Sequence, residues 1–237
     1  MNTALAELRE VSKVYRSTGR DGAGVRNISM KIFEGELVLL LGPSGSGKTT
    51  LLTLMAGLLA PTGGVVLVEG RDLSCCSPAE LQRLRARRIG VVFQAFNLID
   101  SLTVAENIQI ALGFGGMKSP EAALKARLLL AEFGIGHLAG ERPDRLSHGE
   151  KQRLSVARAV ANEPALILAD EPTASLDSDN GLRVFRLLQY YARERGRGVV
   201  VATHDLRLQE CADRVLCMRD GELCGPGVEV ASETGKP

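Results

Sequence analysis

Four short apolar runs recur along the chain, each bounded by polar or glycine-containing sequence: "ELVLLLG" (36–42), "IGVVFQ" (89–94), "ALILADE" (165–171) and "GVVVATH" (198–204). None alternates apolar with polar residues. Each therefore predicts a strand buried on both faces, as in a mainly parallel sheet covered by helices on either side. A buried helical segment is the competing reading of any single run, but all four are short and three contain valine. Between the runs, apolar positions recur at helical spacing in "KTTLLTLMAGLL" (48–59), "SPEAALKARLLLAEF" (119–133), "EKQRLSVARAVAN" (150–162) and "NGLRVFRLLQYYARERG" (180–196). Strands and helices in alternation predict an α/β fold.

The stretch 97–160 interrupts that rhythm with helix-like segments and no convincing strand, and reads as a helical subdomain inserted into a single domain spanning 1–237. In "RVLCMRDGELCG" (214–225), Asp-Gly lies between two short apolar segments, a hairpin signal. The final "SETGKP" is expected to fray. There is no internal repeat and no low-complexity segment.

Composition narrows the function classes. With 29 Lys and Arg against 28 Asp and Glu, the formal charge is +1, so no overall field favours a nucleic-acid partner. Five cysteines without a CxxC pair, and three histidines, suggest neither a zinc site nor a disulfide framework, and we expect reduced thiols in a cytosolic setting. The amino terminus, "MNTALAELREVSKVYRS", lacks the apolar core of a signal peptide. No apolar run approaches the roughly 20 residues needed to cross a bilayer, so any membrane role would come through a partner.

The chemistry begins at "GPSGSGKT", Gly42, Pro43, Ser44, Gly45, Ser46, Gly47, Lys48 and Thr49, with Thr50 following. Such a loop wraps phosphates with backbone N–H groups, its lysine reaches the terminal phosphates, and its hydroxyl residue can ligate Mg²⁺. A glycine-rich surface turn is the plainer alternative, but a predicted strand precedes the motif and a predicted helix follows it, as the mechanism requires. Asp170 and Glu171 end the third apolar run, at the sheet edge where open α/β folds bind ligands. One could serve the Mg²⁺ shell and the other polarise a water, although an acidic pair there is often only a helix cap. Gln94 and His204 end two other runs; a glutamine can ligate Mg²⁺ or place water, and a histidine can donate to a γ-phosphate oxygen.

Together with "LSHGEKQR" and "LILADEPTASLD", these residues resemble, in order and separation, the ATP-binding subunit of an ABC transporter, over essentially the whole chain. The resemblance implies a P-loop NTPase core with a mainly parallel sheet, an antiparallel β portion and the inserted helical subdomain. It implies ATP and Mg²⁺ as ligands. By position, Tyr15 matches the adenine-stacking aromatic, though an aromatic packed in the core is the alternative; Gln94 matches the Mg²⁺-linked loop that senses the membrane partner. Asp170 matches the acid supporting Mg²⁺ through water, Glu171 the catalytic base, and His204 the γ-phosphate switch. Ser175, Leu176 and Asp177 match the loop coupling two sites of a dimer. Ser147 and Gly149 match donors to the opposing ATP, and catalysis falls to Glu171, His204 and Lys48.

The family signature usually reads Leu-Ser-Gly-Gly-Gln; here it reads Leu146-Ser147-His148-Gly149-Glu150. His148 would be costly if its position needed φ > 0 and cheap in ordinary helical backbone. Glu150 in place of glutamine suits a helix amino terminus. Every other catalytic position is intact, so an active ATPase is expected.

Within the family, "VVFQAFNLIDSLTVAENI" (91–108) and the extended P-loop segment resemble the lipoprotein-releasing and macrolide-exporter branch, which also contains a cell-division ATPase. The resemblance implies an integral membrane permease, a second ATP-binding subunit in a homodimer, and a peripheral place on the inner face of the cell membrane. A regulator that gates a membrane partner without transport is the alternative. A small-molecule kinase would lack "LSHGEKQR", and a chromosome ATPase would carry long coiled-coil arms, for which no heptad run exists here. The basic run "RLRARR" (83–88) is either a membrane- or partner-facing patch or a solvated helix face.

Overall fold

The structure is a computed structural model, describing residues 4–17, 20–174, 176 and 178–224. Two sheets form the frame. The first is antiparallel and four-stranded, in the order β2-β1-β4-β5: β1 (Ala6–Ser17), β2 (Arg20–Ile32), β4 (Gly63–Val68) and β5 (Arg71–Asp72). The second is six-stranded, in the order β10-β9-β3-β8-β7-β6: β3 (Leu37–Leu41), β6 (Ile89–Val92), β7 (Leu166–Asp170), β8 (Gly198–Thr203), β9 (Arg214–Arg219) and β10 (Glu222–Leu223). Every pairing in it is parallel except the β9–β10 hairpin.

The four apolar runs are thus β3, β6, β7 and β8. β3, β7 and β8 are buried along their whole length, which explains why their sequences show no alternation. The alternate side chains of β3 serve two different cores. Leu37, Leu39 and Leu41 join the cluster formed with α3 (Val104–Phe114), α4 (Ser119–Glu132), α5 (His148–Val160) and α6 (Ser178–Arg193). Val38 and Leu40 join the cluster shared with α1 (Lys48–Met55) and the antiparallel sheet. The parallel sheet is therefore the middle of three layers.

α2 (Pro78–Arg87) leads into β6, and its "RLRARR" run is partly tied down: Arg85 donates to Gly57 O at 2.8 Å, and Arg88 pairs with Glu69. Between β6 and β7 lie α3, α4, α5 and short 3-10 turns, with no strand among the described residues. Three helices start alike. In α2, α3 and α5 the residue before the helix is Ser77, Thr103 or Ser147, and Glu80, Glu106 or Glu150 reaches back to close a reciprocal capping box. The expected hairpin is present, with Asp220 at φ 51° and Gly221 at φ 84°, the pair of left-handed residues that matches strand twist in a two-residue turn. The terminal "SETGKP" lies outside the described residues.

Candidate functional site

The carboxyl ends of β3, β7 and β8 meet at one edge of the parallel sheet, and the loop after β6 joins them. They enclose a cavity of about 380 Å³ lined by Tyr15, Gly24, Ser44, Gly45, Gly47, Lys48, Thr49, Thr50, Gln94, Asp170, Glu171 and His204. Four strand ends far apart in sequence thus deliver their polar residues to one place.

Close approach dictates the glycines. A β-carbon on Gly42 would lie 2.2 Å from Met218 O, and one on Gly47, at φ 104°, would lie 2.2 Å from Gly24 O. The loop between them is held from behind by the hairpin, since Gly221 N donates to Ser46 O at 3.0 Å. Lys48 is almost buried, and its Nζ donates to Gly42 O at 2.7 Å and Pro43 O at 3.0 Å. Folding the lysine back on its own loop places the ammonium 3.7 Å from Glu171 Oε1. Gly42, Pro43 and Ser46 form the back of the loop and do not themselves line the cavity.

Thr49 Oγ1 donates to Asp170 Oδ2 at 2.7 Å, while Asp170 Oδ1 is buried and has no partner among the described residues. Burial pushes the Asp170 carboxyl above its ordinary value, opposed by the Thr49 hydrogen bond, and the neighbouring Glu171 adds to the rise. A buried carboxylate oxygen without a donor, next to a hydroxyl and a phosphate loop, fits a hard divalent cation with oxygen ligands.

Glu171 turns the chain at φ 46°, with its N–H donating to Ala202 O at 2.8 Å. That left-handed turn is a conformation a non-glycine residue holds only when its surroundings fix it. Its carboxylate is bound on both oxygens: Oε2 accepts from Thr203 Oγ1 at 3.2 Å, and Oε1 shares a hydrogen bond with His204 Nδ1 at 3.0 Å. His204 is itself largely exposed to the cavity mouth. Tyr15 is 44% exposed, with its hydroxyl 3.4 Å from Thr50 Oγ1 and its ring against Gly24. The alternative of an aromatic packed in the core is thereby excluded.

Ser147 and Gly149, at the amino end of α5, do not line this cavity. Ser147 Oγ and N donate to Glu150 Oε2 at 2.7 and 2.8 Å, which holds the Glu150 carboxyl below its usual range. His148 is the first residue of α5, exposed, and not among the residues with positive φ. It therefore occupies ordinary helical backbone and carries no strain. Ser175 and Asp177 lie outside the described residues. Two residues of the site, Gly24 on the cavity wall and Thr203 behind Glu171, escaped the sequence reading. Gly24 acts only through the absence of a side chain, and Thr203 sits one residue before His204 with nothing to mark it as a partner of Glu171.

A phosphate loop, a buried aspartate with a free oxygen and a braced glutamate and histidine at one sheet edge define a nucleotide-hydrolysing P-loop fold. Comparison with known proteins places it more narrowly. The ABC transporter family matches residues 25–174. The chain is 39% identical over 223 residues to the lipoprotein-releasing system ATP-binding protein LolD 2 of Caulobacter vibrioides, covering 94% of this chain and 98% of that protein. It is 39% identical over 221 residues to the macrolide export ATP-binding/permease protein MacB of Syntrophobacter fumaroxidans, covering 92% of this chain but only 31% of that longer protein. A solved dimeric ATP-binding cassette in a post-hydrolysis state, bound to ADP and Pi, superposes with a TM-score of 0.87 at 38% identity, covering 93% of this chain and 97% of that one.

The chain belongs to the ABC transporter family and is an ATP-binding ATPase subunit of the type found in LolD and MacB. No helix among the described residues is long and apolar enough to cross a membrane.

Proposed function

We propose that this subunit hydrolyses ATP as a homodimer and drives a separate integral membrane permease, from the inner face of the cell membrane. The cargo class is a lipoprotein, peptide or hydrophobic compound, to be exported or extracted. Residues 97–160 act as a helical subdomain of the single 1–237 domain. The observation that carries this reading is the convergence of Lys48, Asp170, Glu171, Gln94 and His204 on one cavity.

In the mechanism, backbone N–H groups of Gly45 to Thr49 and the Lys48 ammonium hold the β- and γ-phosphates, and Tyr15 stacks on the base. Thr49, Gln94 and, through water, Asp170 are the residues that would hold Mg²⁺, which would neutralise charge on the phosphates. Glu171, fixed by Thr203 and His204, orients and accepts a proton from the attacking water. His204 donates to the transferring phosphoryl group. Ser147 and Gly149 contribute from the second subunit, and Ser175 and Asp177 couple the two sites.

A second surface supports the membrane partner. An open groove of about 450 Å³, lined mainly by apolar area and including Leu58, Val91, Phe93 and Phe114, runs past the loop that carries Gln94. Phe114 is 65% exposed at its rim. A ring this exposed suits contact with a cytoplasmic segment of the permease.

The test is affinity purification of a tagged Glu171→Gln variant from its own host in mild detergent with ATP. The variant should keep ATP and recover a membrane protein with few spans and a large outer domain. Recovery of ATP-bound monomer alone would remove the support for transport.

A further inference from the structure

The turn that follows Gln94 is held by three side chains of α5, none of which lines the nucleotide cavity. Phe96 and Asn97 both take left-handed backbone conformations, with φ 59° and 50°. Consecutive non-glycine residues rarely hold such angles without outside support. Arg158 provides it: Nη2 donates to Phe96 O at 2.7 Å, and Nη1 donates to Asn97 O. Ser155, fully buried, adds its hydroxyl to Phe96 O at 3.3 Å. At the start of the same helix, the His148 ring meets the Phe96 ring edge to face, with centroids 5.9 Å apart.

Arg158 is an unusual choice for this place. Its guanidinium has no carboxylate at ion-pair distance among the described residues, and burial lowers its pKa. Desolvating a cation is costly, and an apolar side chain would fill the same space without that cost. What the guanidinium adds is a planar fork that spans two neighbouring carbonyls, which a lysine's single ammonium reproduces poorly.

We propose that Arg158 is a positioning residue for the ATPase reaction. Through the Phe96–Asn97 turn, and helped by Ser155 and His148, it fixes where Gln94 enters the nucleotide cavity, so that α5 and Gln94 move as one body. The proposal rests on the reading that Gln94 acts at the bound nucleotide. Because Arg158 lines the outer groove with Asn97 and not the nucleotide cavity, its loss should change turnover more than ATP affinity.

The chain contains no tryptophan, so Phe96→Trp places a single indole on the turn itself. In that background, addition of ATP with Mg²⁺ should shift the emission, and Arg158→Lys should abolish the shift. Arg158→Lys should also lower kcat by about tenfold or more while KM for ATP stays within about threefold. Gln94→Ala should lower kcat comparably, and the double variant should be no worse than the weaker single one by more than about twofold. Should Arg158→Lys lose cooperative melting, Ser155→Ala carries the same test, with a few-fold loss of kcat that disappears in the Gln94→Ala background. Losses that multiply, or a folded Arg158→Lys protein with unchanged kcat and an intact emission shift, would overturn the proposal. Undiminished turnover in Gln94→Ala would instead sink the role of Gln94 itself, and the inference with it.

Discussion

Asp170 has one oxygen bonded to Thr49 and the other buried with no partner among the described residues. Its carboxyl is raised above the ordinary value chiefly by burial, so the folded protein takes up a proton there more readily than the unfolded chain does. Stability linked to Asp170 therefore falls as pH rises from the unfolded value to the raised folded one, and the penalty is full above the latter. Asp170→Asn removes the charge. It should raise the melting temperature of the nucleotide-free protein at neutral pH by about 2 °C or more, and abolish hydrolysis. In a series of melts, the advantage over the parent should shrink as pH falls through the raised Asp170 value; an advantage that stays constant would mean that charge is not the cause. His148 shows the opposite balance. Being exposed and in ordinary helical backbone, it strains nothing. His148→Gly should change turnover by less than about tenfold, or roughly 1.4 kcal/mol in the barrier, in a steady-state ATPase assay. A change of several hundredfold would show that the ring matters far beyond its contact with Phe96.

Capping boxes let stability and function be separated at the level of the helix. Ser77 and Ser147 make the same reciprocal contacts at the starts of α2 and α5, but only Ser147 belongs to the segment resembling the family signature. Ser77→Ala and Ser147→Ala should each cost about 1 kcal/mol in urea unfolding. Turnover should drop markedly in Ser147→Ala alone; equal activities would make Ser147 a cap and nothing more. The same motif shows what the sequence disclosed and what it hid. Glu150, a departure from the family pattern, was legible as favourable at a helix start, and its capping geometry bears out that argument. The buried strands were legible because continuous apolar runs have few other uses. β1 was not: register shifts after Leu8, with Glu10 at φ 51°, break the two-residue period by which a strand is recognised. Arg158 looked like any charged position on a helix, because its partners are carbonyls some 60 residues earlier in the chain, and backbone acceptors leave no trace in side-chain pattern.

At the scale of the whole molecule, the proposed function requires two surfaces to communicate. The nucleotide cavity opens at the carboxyl edge, and the apolar groove lies beyond the Gln94 loop, with Phe93, Asn97 and Arg158 on its wall. Among the described residues, the segment 93–97 borders both. A partner seated in the groove would press on the backbone that carries Gln94, and a change at the nucleotide would be felt along the same few residues. Phe114 offers a way to cut this link at its outer end, because it lies at the end of α3, is 65% exposed and is absent from the nucleotide cavity. Phe114→Asp should fold, since a charge at an exposed helix end is tolerated to within about 0.5 kcal/mol. ATP hydrolysis by the free subunit should remain within about twofold of the parent. In the Glu171→Gln background, the same change should remove the membrane protein from the affinity-purified complex while ATP stays bound, because desolvating a carboxylate inside an apolar contact costs more than the ring contributed. Retention of the membrane protein at parental levels would place the partner elsewhere on the surface.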